Sequence, residues 1–174
     1  MFDFVPCYTG IAPQVCSEMY MATGKTNWEL VEQYYIEPLR RMKGHEAFVC
    51  LTACFPLYEK YLRRIEDIPP EEKFAEGHRV FRVIGKHFGI SEKVAYEFWT
   101  HWRNGLLHRG MPGASLSYTT WLTPFEQGSP VVVSDMHISI NPWSFRNFVL
   151  NLLDGAKKIW KDNDFPLLQE IRKI

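Results

Sequence analysis

The run Phe98-Trp99-Thr100-His101-Trp102-Arg103-Asn104-Gly105-Leu106-Leu107-His108-Arg109 reads as the later part of one helix. Val94, Phe98, Trp102 and Leu106 recur every four residues, which places them along one buried face. Ser91 is suited to cap that helix, and Gly110-Met111-Pro112-Gly113 stops it. The same grammar recurs outward from this stretch: apolar residues at helical spacing, separated by Gly and Pro breaks. It predicts a mainly α fold.

On the N-terminal side, Ser91 follows a helix with Phe74, His78, Phe81, Ile84 and Phe88 at spacings of three and four. Pro70, Glu71 and Glu72 suit its first turn and Gly89 ends it. Before the turn Asp67-Ile68-Pro69-Pro70, a longer helix runs from His45 to about Arg64. Earlier still, Thr26-Asn27-Trp28-Glu29 reads as a capping box. It opens a helix that would bury Leu30, Tyr34 and Leu39 and kink at Pro38. Residues 1–25 form an irregular N-terminal segment, with room for one short helix at Gln14 to Met21.

Past Gly113 the texture turns β-branched. Leu116 to Leu122 and Val131 to Ile140 predict an inserted β-hairpin over about 115–140, joined by a long loop. Asn141-Pro142 then caps a last helix with Phe145, Phe148, Val149, Leu152, Ala156 and Ile159 inside. The expected organisation is a single helical domain over 26–174: a bundle of about five helices carrying one hairpin.

Composition narrows the function classes. With 46% hydrophobic and 23% charged residues among 174, the chain has enough apolar surface to fold and is not intrinsically disordered. Twenty basic residues balance twenty acidic ones, so no whole-protein field draws in a polyanion, and any nucleic-acid contact is local. No apolar run approaches the ~18 residues of a membrane span, and Met1-Phe2-Asp3-Phe4 lacks the start of a secretory signal. The expectation is a cytoplasmic protein without membrane contact. Cys7, Cys16, Cys50 and Cys54 show no metal-ligand spacing, and Cys50 and Cys54 sit in an apolar helical run as small hydrophobes.

The motif Arg103-Asn104-x-x-x-His108 resembles that of the HEPN superfamily of all-α domains. HEPN ribonucleases carry Arg, about four to six residues, then His, on a late helix of the bundle. Bare Arg-x4-His also occurs at Arg40–His45 and Arg82–His87, so the spacing alone is weak. Only Arg103 is followed by Asn, which lowers the chance expectation to about 0.01. The resemblance implies a HEPN-like bundle acting as a homodimer. It implies metal-independent RNA cleavage, in which a 2′-hydroxyl attacks the adjacent phosphate, and no cofactor. Toxin or defence roles and a regulatory protein partner are settings common to the family.

The residue types suit that chemistry in their own right. An imidazole with pKa near 6.5 can take a hydroxyl proton or supply one to a leaving group. A guanidinium matches phosphate oxygens and a pentavalent transition state. His108 is therefore the proton carrier, Arg103 the phosphate stabiliser and Asn104 the orienting group, with Arg109 and Trp102 as substrate contacts and His101 in support. Asn104 and His108 lie about 40° apart on an ideal helix, whereas Arg103 is about 140° from His108. Arg103 thus needs its reach, a local distortion or a partner subunit to meet the same phosphate. One histidine per chain leaves either the acid or the base unassigned, and a twofold dimer would supply the second.

Glu59 lies in the apolar stripe of Phe48, Leu51, Phe55 and Leu62, where a carboxylate needs a partner. Two are available: Arg103, which Glu59 would orient, or Arg63 at i+4 on the same helix. His101 and His108 have no Cys, Asp or Glu at helical spacing to complete a metal site, so no metal is expected. A competing reading keeps the fold without cleavage, as a non-catalytic interaction or small-ligand-binding module. Neutral net charge and 15% aromatic content favour it. A basic cleft around Arg103 and His108 would favour RNA, and a neutral aromatic one a ligand.

Overall fold

Capping residues set several of the helix boundaries in the computed structural model, which describes residues 27–114, 119–122, 129–134 and 136–160. The irregular segment expected at 1–25, Thr26 of the capping box, and Cys7 and Cys16 lie outside these residues. The chain divides into two compact units, one of Tyr35–Lys158 and one of Met1–Tyr34 with Ile159–Ile174. In the smaller unit α1 (Asn27–Val31) buries Trp28, Leu30 and Val31, and the Trp28 and Trp160 rings stack with centroids 6.4 Å apart.

A π-turn (Glu32–Ile36) leads into α2 (Glu37–Arg41). Pro38 has no N–H to offer the carbonyl of Tyr34, and a wider i→i+5 turn accommodates the loss. The extra residue rotates the buried face. Ile36 and Leu39 are inside, while Tyr34, expected inside, is 55% exposed. A short 3-10 turn (Gly44–Glu46) precedes α3 (Ala47–Ile65), the long helix anticipated from the apolar spacing.

Next come α4 (Val80–Phe88), ended by Gly89 at φ +67°, and α5 (Glu92–Phe98), whose cap Ser91 accepts the Val94 N–H at 3.3 Å. A second π-turn (Trp99–Asn104) joins α5 to α6 (Gly105–Arg109). Three strands follow: β1 (Thr119–Leu122), β2 (Val131–Ser134) and β3 (His137–Ile140). The last helix, α7 (Pro142–Ala156), begins at Asn141, whose side chain accepts the N–H groups of Trp143 and Ser144, each at 3.0 Å.

Helix α3 packs along α7, and aromatic rings fill the space between them and α4–α5. Phe55 meets Phe145 at 4.9 Å and Phe98 at 5.7 Å, while Phe88 meets Phe148 at 5.0 Å. Cys50 and Cys54 are buried in this core. A hydrogen bond to Cys50, then burial, pushes the Cys54 thiol up, which suits packing and not reactivity. No helix among the described residues is long and apolar enough to cross a membrane.

The mainly α bundle with one β-hairpin is observed, with two differences in detail. The stretch read as a single strand, Val131 to Ile140, breaks near Met136, so the antiparallel hairpin is β2 with β3. β1 lies on the far side of β3 and runs parallel to it, with Thr119 opposite His137. The four residues before β1, 115–118, lie outside the described residues. Ile138, Ile140 and Val131 face inward, and the buried Trp102 indole donates to the Ile138 carbonyl at 3.0 Å, fastening the sheet to the second π-turn.

The other difference concerns α4, which begins at Val80 and not near Pro70. His78 Nδ1 accepts the Val80 N–H at 3.1 Å, and Gly77 has φ +81°, so the chain enters the helix from an irregular strap. Phe74 and His78 still pack at helix-like spacing, with rings stacked at 4.9 Å, but from that strap.

Gly105 shows why the start of α6 tolerates no side chain. A Cβ there would lie 2.7 Å from the Gly113 nitrogen and 2.8 Å from the Met111 carbonyl oxygen, both backbone atoms. The Gly113 N–H donates to the His101 carbonyl at 2.7 Å, holding that loop close. Gly105→Ala is expected to lower stability by about 1–3 kcal/mol, read as a reduced urea midpoint. An unchanged midpoint would contradict this packing.

His87 Nδ1 and the Tyr58 hydroxyl share a 2.8 Å hydrogen bond, and burial holds the His87 pKa below its ordinary 6.5. Below that value the unfolded chain takes up a proton more readily than the folded one, so stability falls with pH. The melting temperature should drop between pH 7.5 and 5, and the drop should shrink in His87→Gln.

Candidate functional site

Glu59 sits on the second turn from the end of α3, where the apolar stripe leaves its carboxylate only 14% exposed. Its two oxygens go to two different arginines. Oε1 accepts from Arg63 Nε at 3.0 Å and Nη2 at 2.8 Å. Oε2 accepts from Arg103 Nε at 2.9 Å and Nη2 at 2.5 Å. The two pairings read from the sequence as alternatives hold together. The carboxylate joins α3 to the second π-turn through a triad with one excess positive charge.

Arg63 also holds the strap between α3 and α4. Its Nη1 donates to the Pro69 carbonyl at 2.6 Å and its Nη2 to the Glu72 carbonyl at 3.0 Å. Its guanidinium lies 4.5 Å from the Phe74 ring centroid. The Glu72 carboxylate accepts from His78 Nε2 at 2.7 Å. Because His78 Nδ1 is an acceptor from Val80, Nε2 carries the proton in this arrangement. Phe74 in turn packs on Trp99 at 5.4 Å.

Between the strap and the second π-turn lies a cleft of about 730 Å³. Glu59 and Arg63 form one wall. Glu71, Glu72, Lys73 and Phe74 come from the strap, and Trp99, Arg103, Asn104 and His108 complete the lining. Arg103 and His108 therefore meet the same space, although an ideal α-helix would turn them about 140° apart. Arg103 and Asn104 end the π-turn and His108 follows in α6, so the long Arg103 side chain, drawn toward Glu59 and Asn104, spans the angle that the backbone leaves. Such turns are frequent at functional sites.

The side chains of the motif are differently engaged. Arg103 Nη1 donates to Asn104 Oδ1 at 2.9 Å, which leaves the Asn104 amide nitrogen free to donate. The Arg103 guanidinium also lies 5.7 Å from the Trp99 ring centroid. His108 is exposed on the cleft, and no hydrogen bond holds it among the described residues.

Three residues expected at the site lie elsewhere. Trp102 is fully buried with its indole N–H taken by Ile138, so it has no face for a base and belongs to the core. His101 is buried away from the cleft; its Nε2 is paired with Glu97 at 2.9 Å and its carbonyl holds the Gly113 loop. Arg109 is exposed, but its guanidinium lies against Gly113 and does not line the cleft. Conversely, sequence reasoning missed the strap residues Glu71, Glu72, Lys73 and Phe74 as lining. Pro69-Pro70 and Gly77 were the available signal that this stretch is not helical.

Among the described residues no group of three or more His, Cys, Asp or Glu is placed to hold a metal ion. Comparison with protein-family models, with curated proteins and with solved structures finds no match to the chain.

The bridging role of Glu59 has a measurable consequence. Glu59→Ala leaves two part-buried guanidiniums without a counter-charge, and the expected loss is about 2–3 kcal/mol, between exposed and fully buried pairs. A double-mutant cycle with Arg103→Met should give a coupling of about 1–2 kcal/mol in urea unfolding. Additive losses would contradict the bridge.

Proposed function

We propose that the chain is a metal-independent endoribonuclease of HEPN type, with its site completed across a homodimer. The observation that carries this reading is the convergence of Arg103, Asn104 and His108 on one cleft, with Arg103 held from behind by Glu59. In the reaction a ribose 2′-hydroxyl attacks the adjacent phosphorus and the bond to the 5′-oxygen breaks. The products are a 2′,3′-cyclic phosphate and a 5′-hydroxyl end. His108 takes the hydroxyl proton or protonates the leaving oxygen, and His108 of the partner subunit does the other.

Arg103 offers the phosphorane the N–H groups that Glu59 and Asn104 leave unoccupied, held in place before substrate arrives. Asn104 donates through its amide nitrogen to a phosphate oxygen. Glu59 acts through Arg103 as a positioning residue.

A second reading, a non-catalytic ligand-binding module, is favoured by one feature: Glu59, Glu71 and Glu72 offset Arg63, Lys73 and Arg103 around an aromatic floor. The cleft is charge-balanced, not strongly basic.

The two readings separate on a mixed RNA pool incubated with EDTA. Wild type should leave cyclic-phosphate ends, and His108→Ala should lose about 100-fold or more of the rate. Equal cleavage by both would remove His108 from the chemistry. No cleavage by either would favour the binding module.

A further inference from the structure

We infer that the cleft of each subunit takes a short single-stranded RNA segment and engages no more than two of its phosphates, an inference that rests on the ribonuclease reading above. The count of usable donors carries it. Arg63 has four of its five N–H groups bonded to Glu59, Pro69 and Glu72, so it is a structural cation with little left for a ligand. Arg103 has three N–H groups bonded, which leaves one on Nη1 and one on Nη2. Together with Asn104 Nδ2 and His108, that is the donor set of a single phosphate.

Lys73, exposed on the strap, is the other cation lining the cleft and suits a second phosphate. The strap also limits the footprint. Glu71 and Glu72 line the same space, and Glu72 is fixed there by its 2.7 Å bond to His78. A third phosphate threaded past them would meet carboxylates with no cation to offset them. The cleft volume of about 730 Å³ falls within the range of about 300–1,000 Å³ typical of small-ligand sites.

Salt dependence reads this count directly, because each phosphate neutralised on a single strand contributes about −0.7 to the slope of log K against log salt. The probes are fluorescein-labelled 2′-O-methyl RNAs of three and twelve nucleotides, which lack the attacking hydroxyl. Binding to the full chain is followed by anisotropy across about 50–300 mM salt, where that slope is defined. The expected slope is no steeper than about −1.4 per occupied cleft for both lengths, with the number of clefts occupied by each strand read from the binding stoichiometry. Lys73→Ala should flatten it, and Glu71→Lys should steepen it by about 0.7 and tighten binding; both positions are exposed, so the fold tolerates the changes.

A slope steeper than about −2 per occupied cleft with the twelve-mer would overturn the inference. So would slopes that neither substitution moves, or twelve-mer binding without trinucleotide binding. These outcomes leave the ribonuclease reading standing. Absence of binding at both lengths, with no cleavage of RNA by wild type, would overturn that reading and the footprint with it.

Discussion

A single part-buried carboxylate, Glu59, ties together the parts of the molecule that meet at the cleft. An anion in the apolar stripe of a long helix is unfavourable unless cations reach it, and here one arrives from the same helix and one from the second π-turn. The consequences run in both directions. Through Arg63 the carboxylate fixes a strap that has no helical hydrogen-bond ladder to hold its carbonyls. Through Arg103 it fixes a guanidinium at the rim, aimed by contacts on three sides. The same interaction thus stabilises the cleft walls and pre-orients the group that would face a phosphate.

The second π-turn is the other constraint, and the fold supports it from both ends. Trp102 is pinned to the sheet by its indole N–H, and the His101 carbonyl is capped by Gly113, whose approach requires a glycine at 105. A widened turn of this kind is disfavoured without such outside contacts, and it carries Trp99, Arg103 and Asn104 to the cleft. Within this segment His101 and Trp102 serve the geometry, while Trp99, Arg103 and Asn104 line the cleft.

Much of this was legible in the residues. Ser91, Gly89 and Asn141-Pro142 marked helix ends because capping is local chemistry, readable within a few residues. Glu59 could be singled out because a carboxylate on an apolar face needs a partner, but not assigned, since both arginines satisfy it. Tertiary effects were less visible. The π-turns have no strong sequence signature, so helical-wheel angles misplaced Tyr34, and the reach of Arg103 to the space beside His108 depends on a partner 44 residues away. Phe74 and His78 mimic a helix because the strap packs both rings against the same core. Trp102 looked like a stacking platform until its depth was set by the strands, whose order, with β1 parallel to β3, depends on pairings far apart in the chain.

The central claim is that this cleft directs a ribose hydroxyl at its own phosphate without a metal. The most direct measurement compares one single-stranded sequence made as RNA and as the same RNA with 2′-deoxy substitution at every position, both with EDTA. The account predicts that the RNA is cut to cyclic-phosphate ends and the deoxy strand is untouched. Cleavage of the deoxy strand, or activity that EDTA abolishes, would contradict it.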